Sequence, residues 1–275
     1  MTEIITLALR NSIPGTIGAE SVAPDRLATL SNREIAALPV WVGKKSVPLG
    51  EVFDVQGERS ADVRVVGALG QVEGLGDGMA GGTLVIDGPA GRGVGVQMTG
   101  GTIDARGDVG ANAALAMSGG TLRVAGNAGD RLGGPRHGGS RGMTGGEILV
   151  RGNAGADAGL RVRRGLLVIG GDAGPGAARA MIAGTLVVFG QAASGAGAWS
   201  KRGTVIALGG ITIPATYRLA CTYRPPIIRI LFRYLRQTYQ LPVDDRYVAG
   251  LYTRYAGDLA DLGKGEILQW TSTSD

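Results

Sequence analysis

The residue types that most often carry out chemistry are scarce in this sequence. Its 275 residues include one cysteine, Cys221, and one histidine, His137. A structural zinc site or an iron–sulfur cluster needs about four ligands of these types, and a disulfide needs a second cysteine. A Ser–His–Asp triad would depend on His137 alone. We therefore predict no catalytic residue and no metal site in this chain, with carboxylate chemistry as the alternative.

Carboxylates could serve as the acid and base of a carbohydrate-acting enzyme, which needs two acidic side chains close together. The acids of the central region do not recur at one repeated position: Asp77, Asp87, Asp104, Asp130 and Asp157. Their scatter makes this enzyme class the less favoured alternative. The phosphate-binding motif GxxxxGK[ST] is absent, and no GxGxxG-like match lies between a strand pattern and a helix pattern, which disfavours a nucleotide-binding fold.

Basic side chains are stronger candidates for binding. A glycine-rich loop over residues 130–142 carries Arg131, Arg136, His137 and Arg141. Arginine pairs with carboxylates in a bidentate way, so this loop is a candidate contact for an anionic ligand or for a partner protein. A solvated loop with no partner is the alternative.

A second group of arginines lies on a predicted helix near the C-terminus. Two prolines precede the segment 227–236, whose apolar face is predicted to hold Ile227, Ile228, Leu231 and Leu235. Another face carries three arginines, Arg229, Arg233 and Arg236. Such a helix can lie on a membrane surface, but it is more often packed with one side facing a partner, and we predict a partner contact.

The elements that position these residues follow from a repeat. Most of the 50 glycines lie between Gly67 and Gly210, and segments such as MAGGTLVIDG, MTGGTIDARG and MSGGTLRVAG align without gaps. One anchor glycine marks each unit, at spacings of 19, 19, 26, 19, 19 and 19 residues. The loop over 130–142 therefore contains a seven-residue insertion in a 19-residue period. The anchor glycines are Gly82, Gly101, Gly120, Gly146, Gly165, Gly184 and Gly203.

Apolar residues alternate with variable ones after each anchor glycine, as in Leu84 and Ile86. Period two predicts a short strand with one buried face. Because 19 residues cannot hold a strand, a helix and two loops, we predict an all-β solenoid, a single-stranded β-helix of about seven or eight 19-residue coils. The solenoid predicts one buried column made of Leu122, Ile148, Leu167 and Leu186.

Three other positions also recur. The methionines Met79, Met98, Met117, Met143 and Met181 share one position, which predicts an internal stack. A glycine follows each strand, as at Gly107 and Gly126, which predicts a corner with positive φ. Asp or Asn comes next, which predicts a left-handed residue or a local bond to the turn: Asp108, Asn127, Asn153 and Asp172.

The flanks are predicted to cover the ends of the repeat region over 61–210. Residues 1–60 form an N-terminal cap segment, with a capping-box pattern from Ser31 to Glu34. Residues 211–275 form a C-terminal cap and interaction segment that contains the amphipathic helix. The N-terminus shows no basic region followed by a long apolar run, and no stretch approaches the length of a membrane span. We expect a cytoplasmic protein with no membrane or nucleic-acid partner.

The frame GxxGxxxG, seen at 88–95, 126–133 and 152–159, resembles the β-helical domain shared by the large subunit of glutamate synthase and the C subunit of formylmethanofuran dehydrogenase. The C subunit is the more similar of the two. The head residues Arg33-Glu34-Ile35 and Trp41, the insertion GNAGDRLGGPRHGGSRGM and the tail Arg254-Tyr255-Ala256-Gly257-Asp258-Leu259 also match it. The departures are local, because alanine replaces a frame glycine at Ala114, Ala178 and Ala193.

The C subunit occurs in archaeal tungsten or molybdenum formylmethanofuran dehydrogenases and in bacterial formyltransferase/hydrolase complexes. The 28 basic residues here include only four lysines, a bias typical of GC-rich genomes that favours the bacterial complex. The resemblance implies a non-catalytic scaffold subunit that binds no cofactor itself. Hydrolase, transferase and remaining subunits of the complex would take formyl from formyl-tetrahydromethanopterin through a methanofuran-type carrier to formate. Because the family's carriers bear glutamyl groups, the loop arginines could lie along the path of an anionic chain.

Overall fold

The computed structural model describes residues 4–10 and 13–271. Its N-terminal elements are β1 (Ile5–Leu9), β2 (Ile17–Gly18), α1 (Pro24–Leu27), α2 (Asn32–Ala36), β3 (Pro39–Val42), β4 (Lys45–Pro48), α3 (Leu49–Val52) and β5 (Phe53–Gln56). The predicted capping box is confirmed. The Ser31 hydroxyl accepts from the Glu34 backbone N–H, and the Glu34 carboxylate accepts from the Ser31 backbone N–H.

The repeats supply one short strand each. The strands of the central region are β6 (Asp62–Val66), β7 (Val72–Glu73), β8 (Thr83–Asp87), β9 (Thr102–Ala105), β10 (Thr121–Val124), β11 (Glu147–Val150), β12 (Leu166–Ile169), β13 (Thr185–Val188) and β14 (Arg202–Ala207). A short 3₁₀ helix, Leu69–Gln71, precedes β7. The C-terminal elements are β15 (Arg218–Tyr223), α4 (Pro226–Tyr239), α5 (Asp245–Ala249), β16 (Leu251–Gly257) and β17 (Lys264–Thr271).

Most strands belong to one open 13-stranded sheet, ordered β15-β16-β17-β14-β13-β12-β11-β10-β9-β8-β6-β1-β5. Pairing is parallel from β1 to β17 and antiparallel at the two ends, where β5 joins β1 and β16 joins β17. The flanking segments therefore contribute strands to the parallel part. A smaller sheet is ordered β4-β3-β2-β7. The chain is mostly β, with a large parallel sheet and few helices.

The predicted buried column is confirmed. Leu122 pairs with Ile148, Ile148 with Leu167, and Leu167 with Leu186, and all four are at most 2% exposed. A second column runs through single parallel bridges and contains mostly alanine: Ala90, Val109, Ala128, Ala154, Ala173, Ala192 and Ile211. Both columns face the main hydrophobic core.

The methionines form the internal stack that the sequence predicts. Each is at most 1% exposed. A methionine lies beside the anchor glycine of the next repeat, so that a Cβ at Gly120 would be 2.6 Å from Met98 Cε. Gly120 also has φ of 81°. The anchor position therefore needs glycine for two reasons, its left-handed backbone and the methionine beside it.

The predicted role of the glycines that follow each strand is wrong for most of them. Among these, only Gly88 has positive φ. The others are needed for space, because the preceding repeat lies against them, and a Cβ at Gly126 would overlap the Asp108 carboxylate.

The polar residue after these glycines bonds to the next repeat and not locally. Asp108 Oδ1 accepts from Asn127 N at 2.7 Å, and Asn127 Oδ1 accepts from Asn153 N at 2.8 Å. Asn153 and Asp172 continue this chain of hydrogen bonds. None of these four has positive φ. The column therefore links successive repeats where the backbone leaves the sheet.

A second core lies on the outer face of the later strands. There, α4 buries Ile228, Phe232 and Leu235 against the sheet. The predicted apolar face of this helix is partly wrong, because Ile227 is 55% exposed. The sheet residues that α4 and its neighbours cover are Leu149, Leu166, Val168, Val187, Ile206 and Leu208.

Candidate functional site

The insertion loop places its basic residues on the turn side of the repeats. Arg131 Nη2 donates to Pro135 O at 2.9 Å, and Gly139 N donates to Arg136 O at 2.8 Å, so both contacts close the loop on itself. Arg136 Nη1 donates to Gln97 Oε1 at 2.6 Å and ties the loop to an earlier repeat. Arg136, His137 and Arg141 are exposed.

Turns of the following repeats bring further basic residues to this loop. Arg131, Arg136 and His137 line a cavity of about 400 Å³ together with Arg161 and Arg179. A neighbouring cavity of about 540 Å³ shares Arg161 with the first. Its other charged or aromatic lining residues are Arg141, Arg163, Trp199, Lys201 and Asp261. We call the basic residues of the two cavities the basic surface: Arg131, Arg136, His137, Arg141, Arg161, Arg163, Arg179 and Lys201.

The charge of this surface is only partly neutralised. Arg179 forms a bidentate ion pair with Asp157, with Nη2 at 2.8 Å from Oδ2. Arg161 Nη1 donates to a backbone carbonyl, Gly139 O, at 3.3 Å. Among the described residues, no carboxylate lies within 4.0 Å of the charged nitrogens of the rest of the basic surface. The surface can therefore bind an extended anion through several charge-assisted hydrogen bonds.

The sequence predicted the loop part of this surface but not the part that the later turns supply. Val162 and Ser200 occupy the methionine position in two repeats that lack the methionine. Arg161 directly precedes Val162, Arg163 directly follows it, and Lys201 directly follows Ser200. Residues that share a column lie in adjacent repeats. Their equivalent positions in successive repeats could therefore have predicted that Arg161, Arg163 and Lys201 lie beside the loop.

The helix arginines are separate from the basic surface and differ among themselves. Arg229 and Arg233 are exposed on α4 and line a shallow groove with Ile230 and Tyr234. Arg236 is half-buried and bonds within the chain, to the Val243 carbonyl and to the Asp245 carboxylate. The three are therefore not equivalent, since only the first two present a free guanidinium among the described residues.

The glutamate Glu147 secures the other side of this helix. It accepts hydrogen bonds from the Tyr234 and Tyr239 hydroxyls. Burial and the Glu147 carboxylate raise the pKa of Tyr234. These bonds fix the C-terminal half of α4 on strand β11.

The central acids take structural positions. Asp87 pairs with Arg64 and Arg106, and Asp130 Oδ1 accepts from Ala156 N at 2.8 Å. Burial raises the pKa of the Asp77 carboxyl. Across 4–10 and 13–271, no three His, Cys, Asp or Glu side chains group as a metal site would require. None of the helices in these ranges is long and apolar enough to cross a membrane.

A buried carboxylate, Asp258, fixes the far end of the basic surface. Its Oδ2 accepts from Trp199 N at 2.7 Å and its Oδ1 from Ala260 N at 2.9 Å. Burial opposes ionisation of Asp258, but hydrogen bonds from Thr216, Ala260 and Trp199 hold its pKa below the ordinary value. The turn at Trp199 is therefore held by charge-assisted hydrogen bonds.

Comparison with known proteins gives a consistent set of relatives. No family model matches the chain. The C subunit of molybdenum-containing formylmethanofuran dehydrogenase 1 from Methanosarcina barkeri is 33% identical over 96 residues, 33% of this chain and 32% of that protein. The C subunit of the formyltransferase/hydrolase complex from Methylorubrum extorquens is 32% identical over 87 residues, 32% of this chain and 33% of that protein. These alignments thus span about a third of the curated relatives.

A solved structure extends the likeness to the whole chain. A chain of the formyltransferase/hydrolase complex (FhcABCD) from Methylorubrum extorquens, solved in complex with methylofuran, superposes with a TM-score of 0.87. Its sequence identity is 30%, and the superposition covers 97% of this chain and 100% of that one. This chain therefore belongs to the family of C subunits found in formylmethanofuran dehydrogenases and formyltransferase/hydrolase complexes.

Proposed function

We propose that this chain is the non-catalytic scaffold, the C subunit, of a formyltransferase/hydrolase complex. The hydrolase, transferase and remaining subunits would take formyl from formyl-tetrahydromethanopterin through a methanofuran-type carrier to formate. The whole-chain likeness to a chain of the FhcABCD complex carries this proposal. A molybdenum- or tungsten-dependent formylmethanofuran dehydrogenase is the second candidate setting, favoured by the 96-residue match to Methanosarcina barkeri.

We further propose that the repeats form a β-helix between two covering segments, with the boundaries 1–60, 61–210 and 211–275. The constant register of neighbouring strands and the column of single bridges support this architecture. Parallel strands stack about 4.8 Å apart, so such a stack would hold partner subunits at fixed separations. The structural bonds of Asp87, Asp130 and Asp157 favour a scaffold over a carbohydrate-acting enzyme. We propose a cytoplasmic location for the complex.

We propose that the loop side of the basic surface, Arg131, Arg136, His137 and Arg141, contacts the anionic carrier of the complex. The unneutralised Arg131, Arg136 and Arg141 support this role, because fixed positive charge raises the local concentration of an anionic chain. Arg229 and Arg233 on α4 are proposed as partner contacts, while Arg236 would act there through the Asp245 segment that it holds. The carrier and tetrahydromethanopterin would be used by the complex, with no cofactor bound by this chain alone.

Replacement of Arg131, Arg136 and Arg141 by Gln tests the carrier contact. The whole complex is purified, its composition is measured, and the KM for the carrier is determined at low and high salt. We expect intact assembly and a KM raised about tenfold or more at low salt, with a smaller salt dependence than wild type.

A matched control removes the same charge from the N-terminal segment by replacing Arg33, Lys44 and Lys45 with Gln. All three are exposed, and we expect no change. Lost assembly in the loop variant would assign the arginines to a subunit interface. Unchanged assembly and an unchanged KM would show that the loop is solvated and binds no partner. Formyl transfer or formate release by the isolated chain would refute the scaffold role itself.

A further inference from the structure

Trp199 has an unusual conformation for a tryptophan. It is 59% exposed and has φ of 62°. In five other repeats the equivalent position also has positive φ, but it holds a smaller or more flexible side chain: Gly78, Gln97, Ala116, Arg161 and Ala180. A left-handed backbone is least favourable for bulky residues, and exposure gives the indole no compensating burial. Burial of the indole therefore does not offset the strain.

The backbone around Trp199 is nevertheless firmly held. Asp258, only 2% exposed, accepts the Trp199 N–H, and Tyr217 donates its hydroxyl to Gly197 O at 2.9 Å. Burial raises the pKa of Tyr217 to about 12, so its hydroxyl stays a donor at neutral pH. The indole is thus presented on a rigid support, which lowers the entropy lost when a partner binds it.

Two more large apolar side chains are exposed on the turn that Asp258 begins. Leu259 is 57% exposed and Leu262 is 51% exposed. Asp258 O accepts from Asp261 N and Gly263 N, so this turn is itself hydrogen-bonded. We call Trp199, Leu259 and Leu262 the Trp199 patch.

Positive charge lies beside the patch. Arg163 and Lys201 line the same cavity as Trp199. The acidic residue that lines this cavity is Asp261. Arg202 and Lys264 are register partners on the adjacent β14 and β17, and both are exposed. A central tryptophan anchor with a polar rim is the pattern of a protein-binding hot spot.

We infer that the Trp199 patch is the anchor by which this chain docks an apolar pocket with an acidic rim on another subunit. This inference rests on the proposed function, because it needs the chain to work in a complex. The positive charge around the patch indicates which kind of protein can bind there. A second copy of this chain, with a net charge of +5, would bring the same basic residues to the contact. An acidic partner would instead pair with them.

The test replaces Trp199 with Gly in the full chain, co-expressed with the A, B and D counterparts of its complex. Recovery of those three subunits with a tagged chain is measured by quantitative mass spectrometry. We expect recovery to fall at least tenfold while the melting temperature of the isolated chain stays equal or rises, because glycine relieves the left-handed backbone. The control Trp41→Ala removes another exposed indole, 50% exposed, and should leave recovery unchanged.

Charge is tested separately by Lys201→Glu, which should lower recovery, against Lys44→Glu, which should not. Unchanged recovery with Trp199→Gly would overturn the inference, and so would a lower melting temperature, because that would make Trp199 a structural residue. Self-association of the isolated chain that Trp199→Gly abolishes would make the occupant a second copy and also overturn it. A wild-type chain that recovers none of the three subunits would instead refute the proposed function.

Discussion

The glycines of the repeat region differ in whether the structure requires a residue without a side chain. At Gly126 the backbone is not left-handed, but a Cβ would overlap the Asp108 carboxylate and lie 2.8 Å from the Asp108 backbone nitrogen. At Gly70 there is nothing within 4 Å of the Cβ position, and φ is not positive. Substitution at Gly126 therefore tests steric overlap with the preceding repeat, whereas substitution at Gly70 tests only the conformational entropy of the unfolded chain.

We predict that Gly126→Ala destabilises the chain by about 1–3 kcal/mol, the usual cost of overpacking, and more if the Asp108–Asn127 bond breaks. Gly70→Ala, the matched control, should be neutral or stabilising by up to about 1 kcal/mol. Urea unfolding of both variants measures the difference. Equal stabilities for the two variants would show that neighbouring repeats can shift apart at Gly126.

Asp258 makes stability depend on pH. Its folded pKa is lowered, so its contribution is present above the ordinary Asp pKa of about 3.9 and is lost as pH falls through the folded value. Asp258→Asn keeps one acceptor oxygen and loses the other. We expect about 1–3 kcal/mol of destabilisation at pH 7, shrinking toward pH 3.

The measurement is the melting temperature of wild type and variant between pH 3 and pH 7. Asp261→Asn is the control, since Asp261 is exposed on the same turn and should change little at any pH. A constant difference between wild type and Asp258→Asn across this range would contradict an ionised Asp258.

The helix α4 covers the outer face of the later strands, so these strands are buried on both faces. Outward-facing residues of the earlier strands include Arg64, Asp104 and Arg123, whereas the corresponding residues of later strands are apolar. These later residues, Leu149, Val168, Val187 and Ile206, lie in the second core with Phe232. The helix thus adds a hydrophobic layer to one part of the sheet only.

We predict that Phe232→Ala destabilises the chain by about 3–5 kcal/mol, since Phe232 is fully buried. Ile230→Ala, at a position 67% exposed, should change stability by at most about 0.5 kcal/mol. Hydrogen exchange gives the location of the effect. Protection should fall in β12–β14 of Phe232→Ala and persist in β8 and β9. Uniform loss along the sheet would mean that α4 stabilises all strands alike.

Across the whole molecule, the parts that the sequence predicts are those that repeat. The 19-residue spacing and the alternation after each anchor glycine predict the parallel strands and the column at Leu122 and Ile148, because both depend on local pattern alone. The methionine stack follows from the same equivalence. The loop residues of the basic surface could be named because they form the one insertion.

The remaining features depend on contacts that no single repeat encodes. The side of α4 that packs is set by the apolar outer face of later strands, so Ile227 is exposed although the helical pattern groups it with Ile228. The outward switch from Arg123 to Leu149 was a readable signal for this cover. The Asp258–Trp199 bond joins residues 59 apart outside the repeat frame and had no such signal.

The seven-residue insertion leaves the strand register unchanged, since Thr121 pairs with Glu147 in the way that Thr102 pairs with Thr121. Closing a longer loop costs only about 0.6 kcal/mol for each doubling of its length. The exposed part of this loop, 136–141, can therefore be lengthened, shortened or recharged without disturbing the strands, whereas Asp130 and the buried Leu132 belong to the packed repeat. Under the proposed carrier contact, affinity for the carrier and stability of the sheet can be selected independently, because different parts of the same repeat determine them.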